Sequence, residues 1–110
     1  VSIDRIRKSV EQYGSQFLNK IFTINEIEYC QQKKDSAIHL AGRFAAKESI
    51  KKAIFSSQIL KQLDFRDIEI FNDDSGAPKV LILKNLKFEK IEISISHESK
   101  YAVGIALLVV

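Results

Sequence analysis

The chain has 110 residues, of which 45% are hydrophobic and 28% charged, and its formal net charge is +3. This size fits a single domain over residues 1–110 with a buried core, so disorder and a coiled coil fit poorly. A single cysteine, Cys30, rules out an intrachain disulfide framework and a cysteine metal cluster, which is consistent with a cytoplasmic location. The longest apolar run, 105–110, is far shorter than the roughly 20 residues of a membrane span, so we expect no membrane partner.

The first half of the sequence predicts three helices. Apolar residues recur at helical spacing over 3–13. A capping box at the start of 23–34, Thr-Ile-Asn-Glu, predicts a second helix. Good helix formers over 37–55, preceded by a capping residue at 35 or 36, predict the third and longest helix.

The second half changes to the two-residue period of strands, over 67–71, 80–83, 91–96 and 101–110. Short connections favour antiparallel pairing, so the fold class is α+β, with N-terminal helices packed on an antiparallel sheet formed mainly by the C-terminal half. The last strand is apolar on both faces, which predicts a covered position and makes self-association plausible.

Charged residues interrupt the apolar stripe of the third helix. Arg43, Lys47 and Lys51 follow one another at intervals of four, a rise of about 6 Å each, beside Glu48. A carboxylate beside a row of cations suits a magnesium–diphosphate site, because the metal prefers carboxylate oxygens and phosphate prefers Lys and Arg donors. The alternative is an ordinary helix ion pair of Glu48 with Lys51 or Lys52, which periodicity alone favours slightly.

Three further features have both a binding and an ordinary interpretation. His97 follows an alternating strand, where it is either an anion ligand or a solvated loop residue. The loop 72–78 could approach a ligand through its backbone, although turn chemistry alone explains its composition. The basic first helix, which contains Arg5, is either a solvated face or a docking surface for an acidic partner.

Two segments, 41–48 with Lys51 following and 94–97, resemble the signature motifs of holo-acyl-carrier-protein synthases, the small single-domain phosphopantetheinyl transferases. The resemblance covers nearly the whole chain, since it extends to 21–26, 65–70, 76–78 and 101–103. It implies transfer of 4′-phosphopantetheine from coenzyme A to a serine of apo-acyl carrier protein in fatty-acid biosynthesis, with release of adenosine 3′,5′-bisphosphate. It also implies use of Mg²⁺ and a homotrimer with active sites between subunits.

The resemblance assigns roles to residues of the third helix and to the histidine. It makes Glu48 a magnesium ligand that accepts the proton of the attacking serine, directly or through water. Arg43, Lys47 and Lys51 would bind coenzyme A phosphates, with Lys51 also steadying charge in the transition state. It places His97 against a phosphate of coenzyme A.

Other implied roles lie outside that helix. Gly76 and Pro78 would lie beside the nucleotide, and Arg5 matches the position that docks the acidic carrier helix. The family's second metal ligand, an Asp in a Gly-x-Asp strand, would fall two residues before Val1, so a chain that begins there is expected to bind magnesium weakly. At 55–57 the sequence has Phe-Ser-Ser where the family has a Gly-Thr-Gly-like turn.

Two other function classes remain at this point. A non-catalytic anion-binding or nucleotide-binding module would use the same cations without a working metal site. Nucleic-acid binding has the least support, because +3 is a modest charge and no aromatic stacking platform alternates with basic residues.

Overall fold

Four helices precede four strands along the chain, and the computed structural model describes all residues, 1–110. The predicted α+β class is confirmed. The helices are α1 (Ile3–Tyr13), α2 (Ser15–Ile21), α3 (Ile24–Gln31) and α4 (Ser36–Ser57). After a short 3-10 turn, Phe65–Asp67, come the strands β1 (Ile68–Asn72), β2 (Pro78–Ile82), β3 (Lys90–His97) and β4 (Ala102–Val109). No helix combines the length and apolar character needed to cross a bilayer.

Local capping explains where the helices begin and end. The predicted capping box of α3 is present, because Thr23 and Glu26 exchange backbone-to-side-chain hydrogen bonds of 2.9 and 3.3 Å. Gly14, with φ of 54°, ends α1 and leads directly into α2, a helix that the sequence does not predict. Asp35 occupies the N-cap position of α4, but its carboxylate binds Arg7 instead of the helix.

The strands form two antiparallel ribbons, which confirms the predicted pairing. In the first, β1 pairs with β2 from Ile68↔Ile82 to Asn72↔Pro78. In the second, β3 pairs with β4 from Lys90↔Val109 to His97↔Ala102. Alternate residues therefore face the helices, and the others face outward.

The N-terminal residues extend the second ribbon at its edge. The Val1 amino group donates to the carbonyl of Ala102, and the Ala102 amide donates to the carbonyl of Val1, both at 2.9 Å. Ile3 N also donates to Lys100 O at 2.9 Å. The start of the chain is thereby fixed next to the first residues of β4.

Helix α4 is the central element, because it contributes to both clusters of buried apolar residues and packs against β4. Close approach of the helix to the strand depends on Gly104, where an added Cβ would clash with the backbone nitrogen of Ala46. Ser49 Oγ donates to the carbonyl of Gly104 at 2.6 Å. The helix that carries the predicted signature residues is thus held rigidly against the sheet.

Candidate active site

Glu48 is half-buried on α4 and lines a cavity of about 180 Å³. Its carboxylate takes part in none of the six ion pairs of the structure, so the predicted alternative of an ion pair with Lys51 or Lys52 is absent. A carboxylate without a cationic partner is available to a metal ion or a proton. The other residues that line the cavity are Val1, Ala45, Ser49, Lys52, Ala102, Val103 and Gly104.

Lys52, rather than Lys51, shares this cavity with Glu48. The ammonium of Lys51 lies instead over aromatic rings, 4.0 Å from the Phe65 centroid and 5.9 Å from that of Phe55. The sequence offered one signal for Lys52, its spacing of four residues from Glu48, which places two side chains on the same face of a helix. The cation next to the candidate metal ligand is therefore one that the sequence analysis considered only as an ion-pair partner of Glu48.

Lys47 is completely buried, with a side-chain exposure of 0%. Its ammonium donates to a carboxylate oxygen of Glu26, to Ile21 O at 2.8 Å and to Phe65 O at 3.1 Å. Burial lowers the pKa of Lys47, and the Glu26 carboxylate opposes that shift. The expectation that Lys47 binds a phosphate does not fit this position, because its three donors are used inside the core.

Arg43 is also buried, at 5% exposure, and it links α4 to the loop after β1. One guanidinium nitrogen donates to Asn72 Oδ1 at 2.7 Å, and Asn72 Nδ2 in turn donates to Gly76 O at 2.9 Å. The Arg43 Nε is buried without a hydrogen-bond partner. The loop that contains the predicted Gly76 is thus connected to the helix that contains Glu48.

The loop 72–78 is organised by its own side chains. Asp73 Oδ1 accepts hydrogen bonds from Ser75 N at 2.9 Å, Ser75 Oγ at 2.6 Å and Ala77 N at 3.0 Å. These bonds, the Ser75 hydroxyl first among them, hold the pKa of Asp73 below its usual value. Gly76 adopts φ of 90°, which a residue with a side chain rarely does, and Pro78 begins β2.

Two cationic side chains and a histidine surround the Tyr29 ring. Arg43 lies 4.2 Å and Lys33 4.6 Å from the ring centroid, and the His39 ring meets Tyr29 edge to face at 6.3 Å. Burial lowers the pKa of His39, and the positive charges of Lys33 and Arg43 add to that shift. The sequence interpretation did not single out Tyr29, Lys33 or His39, because their proximity depends on how α3 packs against α4.

His97 is the last residue of β3 and is exposed at a hairpin turn. It lines an open cavity of about 450 Å³ that is separate from that of Glu48, although Val103 lines both. Glu98 Oε1 organises the turn by accepting from Lys100 N at 2.9 Å and Tyr101 N at 2.7 Å. These backbone donors, that of Lys100 first, lower the pKa of Glu98. Within one chain, His97 and Glu48 therefore do not share a cavity.

Arg5 is the basic residue of α1 that has no acidic partner. Arg7 forms two hydrogen bonds with the Asp35 carboxylate, at 3.0 and 3.1 Å. Lys8 pairs with Asp4 at 3.0 Å. The exposed guanidinium of Arg5 remains available to an acidic partner.

No group of three or more His, Cys, Asp or Glu side chains converges to hold a metal ion. Glu48 is the single acidic residue at its cavity. This donor set still fits Mg²⁺, which is commonly bound through one or two carboxylates together with substrate phosphates and water.

Comparison with known proteins decides the family. The model of the ACPS family, described as the 4′-phosphopantetheinyl transferase superfamily, matches residues 1–106. Holo-[acyl-carrier-protein] synthase of Chlorobaculum parvum is 44% identical over 108 residues, which cover 98% of this chain and 92% of that protein. The chain belongs to the holo-[acyl-carrier-protein] synthase family. The synthase of Protochlamydia amoebophila is 41% identical over 97% of this chain and 90% of that protein.

Solved structures of synthases have the same fold. Helicobacter pylori holo-[acyl-carrier-protein] synthase in complex with coenzyme A matches with a TM-score of 0.83 and 32% identity, over 98% of this chain and 94% of that chain. The Bacillus anthracis synthase in complex with coenzyme A (3′,5′-ADP) also gives a TM-score of 0.83, with 33% identity over 99% and 90% of the two chains. The likeness therefore extends over nearly the full length of both chains.

Proposed function

We propose that this chain transfers 4′-phosphopantetheine from coenzyme A to a serine of apo-acyl carrier protein. The products are holo-acyl carrier protein and adenosine 3′,5′-bisphosphate, and the pathway is cytoplasmic fatty-acid biosynthesis. The observation that carries the proposal is the unpaired Glu48 carboxylate, which shares a cavity with Lys52 in a chain of the synthase family. We treat residues 1–110 as one transferase domain.

The chemistry requires positioning and neutralisation of negative charge. The serine oxygen attacks the phosphorus that carries the pantetheine arm, and the bond from that phosphorus to the bridging oxygen breaks. The Lys52 ammonium donates to the diphosphate oxygens and stabilises the charge that develops there. Glu48 accepts the serine proton, directly or through water.

Magnesium belongs to the same proposal. Glu48 would hold the ion, since it is the free carboxylate of the cavity. When bound, Mg²⁺ would supply positive charge against the diphosphate. The family's second ligand, an Asp two residues before Val1, would extend the edge that Val1 forms next to Ala102, on the side of the Glu48 cavity.

The nucleotide end of coenzyme A is assigned to the loop and the cations around it. Gly76 and Pro78 belong to the loop 72–78. The Arg43 guanidinium donates a hydrogen bond to Asn72, which in turn donates to the carbonyl of Gly76. His97 would contact a phosphate, which suits an exposed imidazole at a turn. Among the residues predicted to bind coenzyme A phosphates, Lys51 lies apart, because its ammonium is over the ring of Phe65.

A homotrimer would complete the site. Three apolar residues on the outer face of β4 form an exposed stripe: Val103, Ile105 and Leu107 are 54%, 64% and 55% exposed. Exposure of such a stripe to water is unfavourable. Val103 also lines the cavities of Glu48 and His97. A second copy seated on this stripe would cover the apolar surface and bring its own residues to the edge of both cavities.

The acyl carrier protein would dock on α1. Its acidic helix suits Arg5, whose guanidinium has no acidic partner in the chain. Association of this kind depends on salt, because exposed charges are screened.

Replacing Glu48 with Gln tests the proposal against a binding-only module. We expect Glu48→Gln to abolish modification of apo-acyl carrier protein while coenzyme A binding, measured by calorimetry, changes by less than about threefold. Retention of full transfer activity by the variant would contradict the role of Glu48. Coenzyme A binding without transfer, in an otherwise unsubstituted chain extended to include Gly-x-Asp before Val1, would favour the non-catalytic nucleotide-binding module.

A further inference from the structure

A serine of α4 forms a hydrogen bond with β4 directly beside Glu48. Ser49 Oγ donates to the carbonyl of Gly104 at 2.6 Å, and the two residues are 55 positions apart in the chain. A serine within a helix more often directs its hydroxyl to solvent or to the carbonyl four residues before it. Ser49 instead bonds to another element of the fold, from the position that follows Glu48 in the sequence.

The Gly104 carbonyl points to the edge of the second ribbon that lies away from β3. Ala102 exchanges two backbone hydrogen bonds with Val1 at that edge. Residues two apart on a strand direct their backbone groups to the same side, so those of Gly104 point there as well. Because a carbonyl oxygen accepts two hydrogen bonds, an extension of this edge would leave the bond from Ser49 in place.

Two contacts with Gly104 hold α4 against β4. The backbone of Ala46 packs so closely on Gly104 that a side chain does not fit there. Ser49 bonds to the same glycine three positions further along α4, and residues three apart lie on one face of a helix. Packing at one point still allows the helix to turn and tilt about that point, whereas a second contact with directional geometry resists both motions.

The Glu48 cavity lies between these same two elements. Glu48 and Ser49 line it from α4, and residues 102–104 line it from the edge of β4, so both walls belong to one chain. Mg²⁺ requires nearly ideal octahedral geometry, with oxygen ligands at about 2.0–2.1 Å. A displacement of about 1 Å in such a site can slow a reaction by about a hundredfold. The position of α4 relative to β4 therefore bears directly on what Glu48 can bind.

We infer that Ser49 is a positioning residue, whose hydrogen bond to Gly104 holds the Glu48 carboxylate where a divalent metal ion requires it. This inference rests on the proposed function, in which Glu48 holds Mg²⁺. Loss of the hydroxyl removes the second contact between α4 and β4 and leaves the packing at Gly104 intact. The metal ion should then bind more weakly and transfer should slow, while docking of the carrier protein on α1 stays the same.

The test removes the hydroxyl with Ser49→Ala, in the chain extended to include Gly-x-Asp before Val1. Mn²⁺ takes the same oxygen ligands as Mg²⁺, and electron paramagnetic resonance of the free ion measures its binding with coenzyme A present and carrier protein absent. We expect Kd for Mn²⁺ to rise at least fivefold. With Mg²⁺ and carrier protein, kcat should fall at least tenfold and KM for the carrier should change less than twofold. Unchanged Mn²⁺ affinity would overturn the inference.

Ser57 provides a matched control on the same helix. Its hydroxyl also donates to a backbone carbonyl, that of Ile54 at 2.7 Å, but this bond stays within α4. Ser57→Ala should leave Mn²⁺ affinity and kcat within twofold of the unsubstituted chain. Equal losses of Mn²⁺ affinity in the two alanine variants would contradict a specific role for Ser49.

A second variant covers the case in which Ser49→Ala does not fold. Ser49→Cys keeps the shape of the side chain, but a thiol is only a weak hydrogen-bond donor. The same loss of Mn²⁺ affinity is expected for Ser49→Cys, and circular dichroism checks that the variant is folded. Failure of both variants to fold would show that the bond serves stability, and the positioning role would be wrong.

Failure of the inference is distinguishable from failure of the proposed function. The unsubstituted extended chain is assayed first for Mn²⁺ binding and for transfer. If it binds the metal ion and modifies the carrier, and Ser49→Ala does both equally well, the positioning role alone is overturned. If the unsubstituted extended chain does neither, the proposed function is overturned and the inference that rests on it falls too.

Discussion

Glu48 and Lys52 line one cavity from consecutive turns of α4, with no ion pair between them. Because this carboxylate and this ammonium do not pair with each other, each is available to bind a different part of a substrate. Lys51 lies elsewhere, over the ring of Phe65. The position of Lys52 thus gives a direct way to test which cation assists transfer.

Lys52→Ala should reduce kcat/KM for transfer by about a hundredfold, since it removes a charged donor from the developing diphosphate charge. Lys51→Ala should change kcat/KM by less than about threefold and lower stability by roughly 0.5–1 kcal/mol, through loss of its contact with Phe65. Initial rates followed by intact-mass spectrometry of the carrier protein check both. A larger loss of kcat/KM in Lys51→Ala than in Lys52→Ala would instead support the role in transfer that the sequence predicts for Lys51.

The sequence identified the helix that carries the candidate site, but it did not indicate that Lys47 is buried or that Lys51 lies over the ring of Phe65. Helical spacing indicates that Arg43, Lys47 and Lys51 lie along one side, yet it does not tell which part of the helix surface the sheet and α3 cover. In the structure that side is partly internal, so Lys47 meets Glu26 in the core. This partner is 21 positions away in the chain, which local pattern cannot reveal.

Fold prediction succeeded where the signal was local. The capping box at Thr23 and the two-residue period of the strands lie within a few residues, and both are confirmed. Helix α2 was missed because its seven residues, Ser15–Ile21, are too few to show a helical period. Its stability comes from packing of Leu18 into the core.

Gly104→Ala should destabilise the protein by about 3 kcal/mol, which corresponds to a decrease of roughly 12 °C or more in Tm. The added methyl would clash with backbone atoms of Ala46, and the backbone of a helix cannot easily shift to remove the clash. Gly42→Ala is the matched control, because its methyl would meet a side-chain methyl, Ile95 Cγ2 at 2.9 Å, and no backbone atom of another element. A gain of about 1 kcal/mol in helix propensity should offset much of that contact. Equal Tm losses in thermal unfolding would contradict the role assigned to Gly104.

Arg5→Glu should raise KM for the acyl carrier protein about fivefold at low salt and leave KM for coenzyme A unchanged. Charge reversal repels an acidic helix, and added salt should reduce the difference by screening. Lys87→Glu, at an exposed position before β3, is the control with the same charge change. An unchanged KM for the carrier in Arg5→Glu would place docking on another surface.

Ile105→Glu should convert the proposed trimer into monomers, because it buries a charge in the centre of the apolar stripe on β4. Light scattering coupled to size exclusion measures the mass, and transfer activity should fall together with assembly. Leu81→Glu alters an exposed apolar residue on the other ribbon and should leave the mass unchanged. A monomeric unsubstituted chain at micromolar concentration would contradict the trimer.

Cys30 should resist thiol reagents in the folded protein. Burial raises the pKa of its thiol to about 11, so almost no thiolate exists at pH 8. Because an unfolded thiol ionises near pH 8.5, the unfolded chain releases a proton first, and this group's contribution to stability falls as pH rises from about 8.5 to 11. Labelling with a disulfide reagent at pH 8 should be slow in buffer and fast in denaturant. Fast labelling of the folded chain would show that Cys30 is exposed.

Intact-mass spectrometry of apo-acyl carrier protein tests the central claim most directly. The carrier is incubated with coenzyme A, Mg²⁺ and either this chain or a version extended to include Gly-x-Asp before Val1. The account predicts a phosphopantetheine mass gain with the extended version and a much smaller gain, or none, with the chain that begins at Val1. Absence of any gain with both versions, despite coenzyme A binding, would contradict the assignment as a transferase.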